Sequence, residues 1–340
     1  MGPLRLSRQS PICTANSFAK LFAILLAGFV GHSAVADELG SEDAITLHRD
    51  TKLRFATPEQ AETAFRRLDR FTESLSVFDL QSRLDRSDPT LDGFFEFSVE
   101  QIVPWTAEQK EKLTVIIESL EQRLLPLDLP LPKTVFLVQT TGKIEGKAAY
   151  CRGNAIMLPS RFMDVPQARL EPLLAHELFH VLSSHDPQLR YELYKIIGFK
   201  GCPPIELTGD LADRKITNPD APQLDCVLRI DVDGELVPVT PFLWAKSEFV
   251  PGEGKVFFDY LQFRLLVLEP KGGGYQPRLR DGEPWFVSPN RPDFYWNIGT
   301  NTGYIIHPEE VLADNFKALV MKTPDLPTPR ITQEMLRILE

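Results

Sequence analysis

Leu173–His185 reads LLAHELFHVLSSH, and this stretch decides the fold. His176 and His180 are four residues apart, a spacing that puts them one above the other on a single helix face. Two imidazoles so arranged can hold one Zn²⁺ through nitrogens at about 2.0–2.1 Å. Glu177 follows the first of them and points to the side of such a metal, where it can take a proton from water rather than ligate. Leu170, Leu173, Leu174, Leu178, Val181 and Leu182 make the rest of the helix strongly apolar. A buried helix seldom carries two His and a Glu unless they are paired or hold a metal.

A catalytic zinc takes three protein ligands and keeps one position open, so a third ligand must be sought. His185 is adjacent but misplaced. The pattern HExxHxxGxxH needs Gly and His where this chain has Ser183 and Asp186. His185 therefore reads as a helix C-terminal residue, suited to the negative end of the dipole. The stretch His307–Phe316, HPEEVLADNF, is the better source. Pro308 opens a helix on which Glu310 and Asp314, four apart, share a polar face. Glu309 falls on another face and reads as an acid favoured by the helix dipole.

Together the two segments resemble the gluzincin (thermolysin-like) zinc metallopeptidases. The resemblance implies an α+β, zincin-like catalytic domain with a small mixed sheet. It implies His176, His180 and Glu310 as ligands of one catalytic Zn²⁺ and Glu177 as general base toward a zinc-activated water. Asp314 would hydrogen-bond a ligand histidine and fix its tautomer. The similarity is confined to these two segments and carries over neither subfamily nor substrate.

Water attack on a peptide carbonyl needs a donor for the oxyanion that develops. Tyr304 and His307, just before the Glu310 helix, are the candidates; a structural Tyr and a helix-capping His are the alternatives. Ala148–Leu158, AAYCRGNAIML, reads as an extended segment bent at Gly153-Asn154. As an edge strand it could pair with an extended substrate, with Arg152 and Asn154 supplying polar contacts. An ordinary kinked edge strand has the same pattern.

The rest of the chain sets the context. It has 340 residues, 43% hydrophobic and 25% charged, with a net charge of −10 and no basic patch with interleaved aromatics. Nucleic acid is therefore not an expected partner. Residues 1–36 read as a signal peptide: Arg5, Arg8 and Lys20, then the apolar Leu21–Val30, then Ala34-Val35-Ala36 with cleavage after Ala36. A secreted or periplasmic location follows, with no stable membrane insertion after cleavage. Cys13 leaves with the signal, and of Cys151, Cys202 and Cys226 the pair expected to form a disulfide is Cys202–Cys226, both in a Pro-rich region.

Residues 37–130 read as a mostly helical N-terminal region, irregular and polar up to residue 56. Capping boxes at Thr57–Gln60 and Thr106–Gln109 start two of its helices. The catalytic domain is expected to span 131–340, with strands at Val135–Gln139, Lys255–Glu269 and Trp285–Val287 and a hairpin at Asp233-Gly234. The function expected is that of a metallopeptidase acting on peptides or proteins. Two alternatives stay open: a non-enzymatic secreted zinc-binding module, and a zinc amidase acting on a non-protein, cell-wall amide. Nothing in the sequence reports the oligomeric state.

Overall fold

The computed structural model describes residues 44–340. The signal peptide expected at 1–36, with its cleavage point, lies outside the described residues. The described chain begins with an antiparallel pair, β1 (Ala44–His48) and β2 (Thr51–Phe55). Helices α1 (Pro58–Phe65), α2 (Arg70–Ser74), α3 (Val77–Leu84), α4 (Leu91–Glu100) and α5 (Ala107–Leu124) follow. Both expected capping boxes form: Gln60 N–H donates to Thr57 Oγ1 and Gln109 N–H to Thr106 Oγ1, with the reciprocal bonds present. On α5, Leu113, Ile116, Ile117, Leu120 and Leu124 form one buried stripe, as their helical spacing predicts.

Next come β3 (Thr134–Thr140), β4 (Tyr150–Arg152) and β5 (Ala155–Pro159). The first sheet has the order β1-β2-β3-β5-β4, parallel at β2-β3-β5 and antiparallel at both ends. β4 is thus an edge strand, joined to β5 by a two-residue turn whose Gly153 sits at φ +59°. Beyond a short 3₁₀ turn at Ser160–Asp164, α6 (Gln167–His185) carries the HExxH segment and α7 (Pro187–Ile196) follows, capped by Asp186.

A second, antiparallel sheet contains β6 (Lys200–Gly201), β7 (Cys226–Val232), β8 (Glu235–Ala245), β9 (Leu261–Lys271) and β10 (Gly274–Pro277), with the short helices α8 (Asp210–Asp213) and α9 (Phe257–Tyr260) between strands. The β7–β8 turn is the expected Asp233-Gly234, both residues at positive φ. A small hairpin, β11 (Leu279–Arg280) and β12 (Glu283–Pro284), precedes β13 (Phe286–Val287), which pairs with β9. The chain closes with α10 (Pro292–Ile298), α11 (Pro308–Val320) and α12 (Arg330–Leu339). α6 and α11 pack directly: Leu178, Phe179 and Leu182 share one core with Val311, Leu312 and Phe316, the rings of Phe179 and Phe316 being 5.7 Å apart.

The mixed α/β architecture agrees with expectation, but two parts of the domain reading are corrected. Residues 44–55 are strands rather than irregular chain, because Leu47, Leu53 and Phe55 alternate with polar residues and are buried. A boundary between 130 and 131 would also cut one sheet in two. β3 is parallel to β2 on one side and to β5 on the other, and Ala44–Glu340 is one compact unit. An apolar strand such as β3 needs both neighbours to satisfy its backbone.

Candidate metal centre

α6 and α11 bring three lone-pair atoms to one point. His176 Nε2 lies 3.1 Å from His180 Nε2 and 3.3 Å from Glu310 Oε2, and His180 Nε2 lies 3.5 Å from that oxygen. Ligand atoms about 2.0–2.1 Å from a tetrahedral metal stand roughly 3.3 Å apart, so the spacing fits one ion without rearrangement. All three residues are buried.

The outer ring nitrogens settle the tautomers. His176 Nδ1–H donates to Asp314 Oδ1 (2.9 Å) and His180 Nδ1–H donates to Glu309 Oε1 (3.1 Å). A carboxylate only accepts, so each facing nitrogen carries a proton, and each Nε2 is left to face the other two groups, as a lone pair when the ring is neutral and as an N–H when it is charged. Two such lone pairs and a carboxylate oxygen repel one another unless a cation or a shared proton sits among them. The electrostatics agree. Burial works against the His176 cation, yet its hydrogen bonds to Asp314 and Glu310 prevail and raise its pKa to about 9. Burial likewise opposes the charged form of Glu310, but the two histidines hold its carboxyl well below the usual range.

The remaining oxygen of Glu310 is occupied. Asn218 Nδ2 donates to Glu310 Oε1 at 2.6 Å, leaving Oε2 to the histidines. Asp314 also accepts from Lys317 Nζ and the Thr302 hydroxyl. Glu309 is fully buried and accepts from Tyr194 Oη (2.6 Å) and the Ser183 hydroxyl as well as from His180. Each histidine is therefore oriented by its own carboxylate.

Glu177 is buried beside the cluster, and burial raises its pKa against the opposing charges of His176 and His180. Cys151 Sγ–H donates to the Glu177 backbone oxygen (3.2 Å) and approaches Oε2 (3.5 Å). Glu177 lines, with His176, His180 and Glu310, a cavity of about 410 Å³ that has Ala149, Phe162, Leu173 and Tyr304 among its other walls. The Tyr304 ring stacks 6.3 Å from that of His176 while the residue stays 44% exposed. Burial of its phenol, with Glu310 and Asp220 nearby, raises the pKa, so Tyr304 remains an O–H donor at neutral pH.

Five of the residues singled out from sequence do other things. His307 is the N-cap of α11: its Nδ1 accepts from the Glu309 N–H (3.1 Å), and burial lowers its pKa to about 4. Pro308 at the first helical position fixes residue 307 as the cap, and His307 is not among the residues that line the cavity. Arg152 is spent on Asp69 Oδ2 (2.8 Å) and on the carbonyls of Phe65 and Arg67. Asn154 donates to the Thr134 carbonyl (2.9 Å). Both tie the β4–β5 turn to neighbouring backbone, and neither faces the cavity. The expected Cys202–Cys226 disulfide is absent, and all three described cysteines are free thiols. Gly201 pairs with Cys226, so Cys202, one position on, points to the opposite face of the sheet. The two sulfurs accordingly pack in different clusters.

Sequence reasoning missed Glu309, Tyr194, Asn218 and Asp220. One signal was present: Ser183, three residues after His180, is a polar residue on the buried face of an apolar helix, which calls for a partner. Asn218 and Asp220 sit in an irregular loop, and their contacts with Glu310 and Cys151 are long-range. The chain matches no protein-family model, and no solved structure matches it.

Proposed function

We propose that this protein is an exported zinc-dependent metallopeptidase of the zincin-like, gluzincin type, with His176, His180 and Glu310 holding the metal. The observation that carries the reading is the convergence of three lone-pair atoms at 3.1–3.5 Å, with both histidines oriented by carboxylates. The set offers three donors and no sulfur, whereas a closed structural site takes four ligands, often Cys. A zinc ion bound there would lower the pKa of a water molecule and polarise a substrate carbonyl.

The chain's own residues supply the rest. Glu177, raised in pKa by burial, is basic enough to accept a proton from the attacking water and pass it to the leaving amine. Tyr304 Oη, at the rim of the same cavity, donates to the carbonyl oxygen as negative charge develops. Asp314 and Glu309 keep the two imidazoles in one tautomer and one orientation. Export is supported by the basic, apolar, small-residue order of positions 1–36.

The test compares wild type with Glu177→Gln on a denatured protein substrate. The amide is nearly isosteric but cannot accept the proton, so zinc content should be unchanged while turnover falls at least about 10²-fold. Near-normal hydrolysis by this variant would remove Glu177 from the mechanism. Stoichiometric zinc with no hydrolysis by either protein would make the site non-catalytic.

A further inference from the structure

The cavity runs along α6, and what stands at its metal end bears on which bonds the site can reach. The residues of α6 that line it are Arg169, Pro172, Leu173, His176, Glu177 and His180. At 1.5 Å per residue this face is roughly 16 Å long, and the metal residues occupy its C-terminal end. From His176 toward Arg169 the groove runs roughly 10 Å, room for about three residues of extended peptide. At the other end stands Asp220.

Asp220 closes that end through the strand edge. In the β4–β5 hairpin Arg152 and Ala155 flank the two-residue turn and form the hydrogen-bonded pair. Cys151, opposite Ile156, therefore turns its N–H outward, to the free edge where a substrate backbone would add. That N–H already donates to Asp220 Oδ1 at 2.7 Å. The next outward position along the strand is Ala149, which lines the cavity. A separate cavity of about 200 Å³ shares two lining residues with this one, His180 and Asp220, so the aspartate stands with the histidine between the two.

The partition is fixed. Thr217 Oγ1 donates to Asp79 Oδ2 (2.6 Å) and its carbonyl accepts from Arg83 Nη2 (3.1 Å). Asp79 and Arg83 are themselves a buried pair at 2.7 Å. Asn218 then binds Glu310, and Pro219 leads directly into Asp220.

Resting on the metallopeptidase reading, we propose that Thr217–Asp220 closes one end of the substrate groove and makes the enzyme an exopeptidase. A substrate terminus abuts Asp220, and the bond cut lies within a few residues of it.

The experiment gives the zinc-loaded full chain a linear peptide and its head-to-tail cyclised form, with products read by mass spectrometry. The linear peptide should shorten stepwise from one end, and the cyclic peptide, which has no end, should persist. Early internal fragments, or cleavage of the cyclic form within about tenfold of the linear rate, would overturn the inference and leave the peptidase reading intact. Cleavage of neither peptide by protein that retains zinc would overturn both. Asp220→Gly removes the partition and should gain internal cleavage. If it keeps zinc and cuts the linear peptide but still spares the cyclic one, Asp220 is not the barrier.

Discussion

Replacing Glu309 by Gln tests the claim that each metal-site histidine depends on its own buried carboxylate. Glu309 has no exposure and three donors facing it: His180 Nδ1–H, Tyr194 Oη–H and the Ser183 hydroxyl. An amide offers one acceptor oxygen and an NH₂ that must face one of those donors. The Tyr194 or Ser183 hydroxyl can turn to accept, but the charge-assisted bond to His180 becomes a neutral one. Loss of a carboxylate behind a ligand histidine costs about 10–100-fold in metal affinity. At about 1.4 kcal/mol per decade this is about 1.4–2.8 kcal/mol, consistent with the difference between charged and neutral hydrogen bonds. Zinc affinity would be measured by competition against a chromogenic chelator, with Asp314→Asn in parallel as the same change behind His176. Both variants should weaken zinc by one to two decades, and Glu310→Gln, which loses an anionic ligand, by more. An affinity for Glu309→Gln within about twofold of wild type would refute the reasoning and return Glu309 to a helix-dipole role.

Other outcomes follow from the same geometry. Tyr304→Phe should lower kcat by about 10²–10³-fold with little change in KM, since its hydroxyl acts where charge develops; an effect on KM alone would make it a substrate-binding residue. The carboxylates around them hold both histidines protonated above the ordinary imidazole range, His176 up to about 9, so below that pH zinc must displace protons. Zinc affinity should therefore weaken as pH falls from 9, by at least about tenfold per unit, and flat affinity between pH 9 and 7 would contradict the assignment. Under denaturing, non-reducing conditions, Cys151, Cys202 and Cys226 should all alkylate. A linked Cys202–Cys226 peptide would show that β6 and β7 rearrange on oxidation.

How much was legible in the sequence depends on how local each signal is. The HExxH helix, the α5 stripe and the Asp233-Gly234 turn are set by neighbours along the chain, and all three stand where their spacing put them. Glu310 and Asp314 are legible for the same reason: Pro308 fixes the helix start and hence the phase. Glu309 failed because the start of α11 is buried on two sides, against α6 and against Tyr194 of α7. A helix with one polar and one apolar face does not anticipate a second buried polar face. Arg152 illustrates the opposite failure. An Arg beside a Gly-Asn turn looks the same whether it meets substrate or, as here, Asp69 far away in sequence. The thiols of Cys202 and Cys226 point to opposite faces of a sheet, which no spacing argument reveals.

X-ray absorption at the zinc edge, on protein purified without added chelator, tests the central claim most directly. It predicts one zinc per chain, with a first shell of nitrogen and oxygen near about 2.0–2.1 Å, the multiple scattering of two imidazoles, and no sulfur. A scatterer near about 2.3 Å would place a cysteine on the metal, and substoichiometric zinc that washes out on dialysis would leave His176, His180 and Glu310 as a proton-sharing cluster; either result contradicts the account.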